Sequence, residues 1–299
     1  MSIITRIKNI FSKTTFDDLI GVALRQQSIS YFVKKSNEHQ CESIENKTNR
    51  IADATKELLS EKSLAGQCHL VLPNSYSQMV QVDKPNVPEL EIRDALKWQI
   101  KDLVNIAPEN MVLDYFDGPT LSGGQEKINV VCVAKSDLIE LVTMLTGDDL
   151  NVNCITTEEF AFASLLPIQQ DAVLFVCQQP NEEVNLLIVK DGKLFFSRRL
   201  RGFAQISGKS EDELSLGTID ALSLEIQRSS DYFERQLKQA PIKVIEVLMP
   251  LKHEAFLARK LAENTNVEVK LFAMPVTLEN FRDSAVAIGA TQLNFMEPN

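Results

Sequence analysis

The chain of 299 residues is long enough for about two domains, and its 44% hydrophobic and 24% charged residues describe an ordinary soluble composition. A formal net charge of −10 argues against a general nucleic-acid binder and against broad adhesion to anionic lipid, since no wide basic field would draw phosphates. No apolar run approaches the roughly 18 residues of a membrane span. The five cysteines, Cys41, Cys68, Cys132, Cys154 and Cys177, show no C-x-x-C spacing. With no signal-peptide pattern, they point to reduced thiols in a cytoplasm. His39, His69 and His253 lack metal-ligand spacing, so no metal site is expected.

Residues 1–16 form an amphipathic leader. Ile3, Ile7, Ile10 and Phe11 share one helical stripe, while Arg6, Lys8 and Lys13 lie mostly away from it. Through residues 1–13 it either lies on a cytoplasmic leaflet as an interfacial helix or is a frayed leader that packs on the first domain or stays disordered. Two short strands follow, Leu19 to Leu24 and Ile29 to Val33, with Arg25-Gln26-Gln27-Ser28 as their turn. The polar stretch from Lys34 to Lys47 reads as loop. Asn49 to Lys62 reads as a helix with Ile51, Ala54, Leu58 and Leu59 on one face, stopped by Ala65-Gly66.

His69 to Pro73 is strand-like, and Gln78 to Val82 alternates as an exposed strand. A helix from Asn86-Val87-Pro88 carries Trp98; strands at Met111–Phe116 and Ile128–Val133 precede a helix capped at Ser136-Asp137 and ending at Leu145. Asn151 to Ile155 is a further strand, followed by a helix from Glu158 to Leu166. The second half repeats the pattern. Ala172 to Val176 reads as a strand buried on both faces, and Val184 to Val189 meets Leu194 to Phe196 at the tight turn Asp191-Gly192. An arginine-rich exit, Ser197 to Gly202, leads to a long helix with Ile219, Leu222, Ile226, Phe233 and Leu237 at helical spacing. Strand-like Val244–Leu248 and Val267–Phe272 and a helix at Ser284–Thr291 complete the half. Two strand-hairpin-helix units in one chain indicate a duplication.

No constellation for acid-base or nucleophilic catalysis is visible. Ser122-Gly123-Gly124-Gln125 lacks the Gly-Lys-Ser/Thr ending of a P-loop and reads as a hairpin tip. Asp114 and Asp117, without a histidine or nucleophile beside them, read as turn caps. Arg198, Arg199 and Arg201 either grip an anion or partner carboxylate or form a solvated strand face.

In their order, Asp171 to Leu237, the segment Glu225 to Phe233, the Trp98 helix and the turn Ile106-Ala107-Pro108-Glu109-Asn110 resemble the pilus-assembly PilM family of the actin-like ATPase superfamily. Within it the resemblance is greatest to the MshI-type members of mannose-sensitive haemagglutinin (MSHA) pilus biogenesis, related also to the cytoplasmic part of GspL. It implies an α/β, actin-like (ribonuclease H-like) duplicated fold with an inserted subdomain 1C. On that plan residues 17–66 and 151–168 form the first core, 67–150 the insertion and 169–299 the second half. The family's second phosphate hairpin has the pattern Asp-x-Gly-x-x-x-x-Thr, where this chain has Gln178, Pro180 and Asn185. Its first hairpin has Asp-x-Gly, where Ala23 and Arg25 stand. Glycine lets backbone N–H groups reach phosphate, aspartate orders Mg²⁺, and proline removes a donor outright. The adenosine-contacting Gly-Gly after Leu248 is replaced by Met249-Pro250-Leu251-Lys252.

The resemblance implies a cytoplasmic adaptor at the inner face of the bacterial inner membrane. A groove between the first core and subdomain 1C would accept the N-terminal peptide of a PilN-like bitopic membrane protein. Leu96, Trp98, Leu103, Val104 and Ile106 are its expected walls, with Trp98 alternatively core of the subdomain. No cofactor and no ATPase activity are expected. The alternatives are an actin-like protein that keeps nucleotide binding and a GspL-like module of a type II secretion platform, which ordinarily continues into a transmembrane helix that is not seen before Asn299.

Overall fold

The computed structural model describes residues 18–34, 39–47, 50–62, 64–118, 126–145 and 150–293. The leader and the Ser122–Gln125 tip lie outside them. Two compact units emerge, one of Met1–Ala161 with Val286–Asn299 and the other of Phe162–Ala285.

The first unit is built on a five-stranded sheet ordered β3-β2-β1-β4-β8. β1 (Leu19–Leu24) is apolar and central, antiparallel to β2 (Ser28–Lys34) and parallel to β4 (Gly66–Val71), which is parallel to β8 (Leu150–Thr156). The stretch read as loop contains β3 (His39–Glu45), paired with β2 from Ser28↔Glu45 to Lys34↔His39. Its side chains are exposed or half-buried, so backbone pairing makes the strand and no apolar alternation announces it. α1 (Ile51–Lys62) buries Ile51, Ala54 and Leu58 as its spacing requires. Gly66 does not stop that helix but starts β4 at φ 142°, where a Cβ would meet the Asp18 carbonyl at 2.4 Å.

Between β4 and β8 the chain forms a three-stranded antiparallel sheet, β5-β7-β6, from β5 (Ser77–Asp83), β6 (Met111–Asp117) and β7 (Lys127–Ala134). α2 (Ile92–Ile100) lays Ile92, Leu96 and Ile100 on one face of it, against Leu113, Ile128 and Val130. Eleven buried apolar residues give this insertion its own core. At its near end Val133 joins the first core together with Leu138, Leu141 and Leu145 of α3 (Lys135–Leu145).

A connecting helix, α4 (Glu158–Ala163), shorter than its sequence suggests, leads into the second unit. There β11-β10-β9-β12-β13 repeats the first sheet's order: a hairpin partner on one side of the central strand, parallel strands on the other. β9 (Val173–Cys177) is wholly buried, and β10 (Val184–Lys190) turns into β11 (Lys193–Leu200) through Asp191 at φ 52° and Gly192 at φ 70°. These are the positive dihedrals of the tight hairpin. β11 runs through Arg198 and Arg199, so the arginine-rich exit is strand as far as Leu200, with Arg201 and Gly202 in the turn that follows.

A Ser210–Glu213 capping box precedes α5 (Ile219–Asp231), which continues through a wide turn at Tyr232–Gln236. Ile219, Leu222, Ile226, Phe233 and Leu237 are all buried. α6 (Glu254–Glu263) links β12 (Val244–Leu248) to β13 (Glu268–Leu271). α7 (Ala285–Ala290) departs from expectation, because from Val286 onward the chain belongs to the first unit. The reason is close packing on β1: a Cβ on Gly21 would meet the Ala287 carbonyl at 1.9 Å, and the His69 ring lies 2.6 Å from the Ala290 carbonyl through Nδ1. Among the described residues no helix is long and apolar enough to cross a membrane.

Candidate functional site

Two hairpin loops and one sheet face hold the residues singled out from sequence. In the first unit Ala23 is fully buried at the end of β1, paired with Ser30 and Val71. Arg25 is also buried. Its N–H donates to the Ser28 carbonyl at 2.9 Å, and its Nη2 donates to Ser43 Oγ on β3 at 3.1 Å. Asn46 closes the turn by donating from Nδ2 to the Gln26 carbonyl and from its backbone to Gln27. The place where a glycine would leave open space therefore holds a long side chain tied to the neighbouring strand.

In the second unit the β9–β10 loop is closed by its own polar groups. Gln178 is buried, and its Nε2 donates to the Glu182 carbonyl at 2.7 Å and the Phe203 carbonyl at 3.1 Å. Its backbone N–H donates to Leu248 at the end of β12. Asn181 takes φ 61°, the conformation that carries the chain past Pro180. Glu183 accepts the backbone N–H groups of Gly202 and Phe203 at 3.0 and 2.8 Å. Asn185 sits fully buried in β10 opposite Arg199.

The stretch after β12, where the adenosine glycines are missing, is filled as well. Met249 is fully buried, and its N–H donates to Glu254 Oε1. Arg282 pairs with Glu254 at 2.8 Å and donates to the Phe272 carbonyl at 2.7 Å. Burial pushes the Glu254 carboxyl above the usual range, while Arg282 and the Met249 N–H pull it back. Sequence reasoning missed this pair, whose partners lie 28 residues apart. The lost glycines were its only trace, since a refilled loop needs some new anchor. Thr157, Glu158 and Glu159, buried where α4 begins, were missed too, and no sequence pattern marks them.

The expected partner walls separate. Leu96, Val104 and Ile106 belong to the insertion's own core, so they are not groove walls. Trp98 and Leu103 are exposed, at 66% and 58%. The cause is helical phase: Ile92, Leu96 and Ile100 take the inward face and leave Trp98 on the opposite one. The sheet face turned away from α2 carries a different apolar line. Met79 lies beside Val131, and Phe116 meets Phe160 edge-on at 5.0 Å; all four are half-buried. Asp114 is an ion-pair partner and not a turn cap, at 2.8 Å from Arg93. Arg198 pairs with Glu225 of α5 at 2.8 Å, an intramolecular answer to the two readings of the arginine run.

No protein-family model and no curated protein matches the sequence. Solved structures do match its fold. A chain of a PilM–PilN type IV pilus biogenesis complex superposes with a TM-score of 0.68 at 18% identity, over 91% of this chain and 97% of that one. The cytoplasmic domain of EpsL, an inner-membrane component of the type II secretion system of Vibrio cholerae, gives 0.57 at 16% identity over 93% and 97%. A Bacteroides thetaiotaomicron protein with an actin-like ATPase fold and unknown function gives 0.53 at 11% identity over 98% and 100%. The fold is that of the actin-like ATPases.

Proposed function

We propose that the protein is a cytoplasmic adaptor of a type IV pilus assembly platform, at the inner face of the inner membrane, and that it works without nucleotide turnover. The observation that carries this reading is the match to a chain of the PilM–PilN complex over nearly the whole of both chains, at the highest of the TM-scores given above. The finer assignment to an MSHA-type pilus, as an MshI-type protein, rests on the sequence resemblance.

The nucleotide part of the reading is supported by what fills the loops. The Gln178 amide donates to carbonyls where a metal-ordering carboxylate is needed, Pro180 offers no N–H, and Glu183 occupies two backbone donors nearby. Met249 and the Glu254–Arg282 pair occupy the adenosine loop. These residues do not fit a metal-bound triphosphate, and no chemical step is assigned to one.

The partner in this proposal is the cytoplasmic N-terminal peptide of a PilN-like bitopic inner-membrane protein. It lies in extended form along the Met79–Val131–Phe116–Phe160 line, which offers apolar spacing for alternate side chains beside polar Gln81 and Asn129. The likeness to the EpsL domain favours a second reading, a type II secretion platform module with the same frame and another partner.

Calorimetric titration of the protein with that peptide, with and without Mg-ATP, tests the proposal. Equal binding in both conditions is expected, and Val131→Asp should weaken it at least tenfold. Binding that requires Mg-ATP would overturn the nucleotide-independent reading, and no binding would overturn the partner.

A further inference from the structure

The outer face of α2 lies on the other side of the sheet from the Met79–Val131–Phe116–Phe160 line and carries an exposed apolar row of its own. Its apolar content is conspicuous because it is not needed for folding. The core of the insertion is satisfied by Ile92, Leu96 and Ile100 on the inner face. Outward stand Leu90, 96% exposed in the turn leading into the helix, and Trp98, 66% exposed. Four helical positions separate Leu90 from Asp94 and Asp94 from Trp98, so the three form one row. Isolated exposed leucines are common, but an exposed tryptophan in line with an almost fully exposed leucine is not a solvent preference.

The row is set in negative charge. Glu89, Glu91, Asp94 and Asp102 surround it, and of these only Asp94 has an ion-pair partner among the described residues, Lys97 at 3.1 Å. The imbalance extends to the whole insertion, which carries thirteen Asp and Glu against six Lys and Arg between residues 67 and 150. Residues 162–285 are close to neutral, with seventeen acidic against fifteen basic. Beside the row itself Arg93 is paired with Asp114 and Lys97 with Asp94, so among the described residues Glu89, Glu91 and Asp102 stand without an ion-pair partner against one such cation, Lys101. The indole already accepts a cation, with Lys101 Nζ 5.9 Å from the ring centre.

We propose that this face binds a lysine- and arginine-rich segment bearing apolar side chains. The chemistry fits the cytoplasmic juxtamembrane stretch of an inner-membrane protein, where basic residues concentrate. Apolar side chains cover Leu90 and Trp98, the partner's cations meet Glu91, Asp94 and Asp102, and an arginine can replace Lys101 over the indole. An anionic membrane or nucleic acid would be repelled by the same charges, and a second copy of the face would meet its own sign.

Trp98 is the sole tryptophan, so its emission reports on the surface directly. The full chain is titrated with a synthetic peptide alternating leucine with lysine or arginine, and with its counterpart carrying glutamate at every basic position. Expected are a saturable blue shift with the basic peptide alone, its loss as salt shortens the screening length, and an affinity about tenfold weaker for the doubly substituted Glu91→Lys, Asp94→Lys protein. Both residues are exposed, and the variant's unchanged circular dichroism confirms folding. No shift, equal shifts with both peptides, or unaltered affinity in the variant overturns the proposal. A shift on adding anionic vesicles alone, or on raising the protein concentration alone, overturns it in favour of a membrane or a second copy.

Discussion

The two hairpin loops occupy equivalent places in sheets of identical strand order, yet they are closed by opposite means. In the first unit a buried cation, Arg25, reaches across to Ser43 on another strand. In the second a buried neutral amide, Gln178, is satisfied within its own loop and by the Phe203 carbonyl. The positions lost from the phosphate pattern are structural parts in both cases: the first hairpin is tethered by a cation to a hydroxyl on the next strand, the second by amide-to-carbonyl bonds within the loop and to Phe203. Restoring the family residue should therefore cost each unit differently.

Gln178→Asp should have the largest effect. It removes two donors and turns a carboxylate toward two carbonyl oxygens, for a loss of about 3 kcal/mol. Denaturant unfolding of the second unit measures it, and adding Pro180→Gly should not restore stability or create pilus-assembly gain. Stability unchanged within about 0.5 kcal/mol would break the comparison, since the amide bonds would then be incidental. Arg25→Gly should cost less, about 2 kcal/mol, from the lost Ser43 bond, the vacated volume and the looser unfolded chain. Neither variant should acquire Mg-ATP affinity in an equilibrium dialysis assay.

How far the sequence carries depends on which forces shape each element. The duplication, the β10–β11 turn and the α5 stripe were legible because apolar period and Asp191-Gly192 state them locally. β3 was not, because an edge strand held by backbone bonds leaves no pattern in His39–Glu45. α7 was assigned to the wrong half, since nothing local in Ala285–Ala290 says that its carbonyls will press on Gly21. The degenerate positions became visible only when the resembling family's hairpin pattern was laid on the chain, and what replaced their chemistry required coordinates. Of the five expected partner walls, Leu96, Val104 and Ile106 lie in the insertion's own core while Trp98 and Leu103 are exposed, because phase relative to Ile92 and Ile100, and not residue type, decides which face is buried.

The smallest expected effect separates the two sheets by pH. His69 on β4 lies beside Gly21, and the equivalent place on β12, counted from the hairpins, is Val247 beside Val176. Burial lowers the His69 pKa, opposed by the bond to the Ala290 carbonyl. The unfolded chain therefore takes up the proton first. The first unit keeps its full stability above the ordinary histidine value near 6.5 and loses it as pH falls from there through the folded pKa. The second unit has no such group, and Glu246 and Glu254, both raised by burial, bias it the other way because the folded form holds their protons longer. Hydrogen exchange at pH 7 and at pH 5.5 should show β4 and β1 opening more readily at the lower pH while β12 and β9 do not. Equal loosening of both sheets would mean that His69 is not the group that titrates, and His69→Leu, which should flatten the first unit's response, tells the two explanations apart.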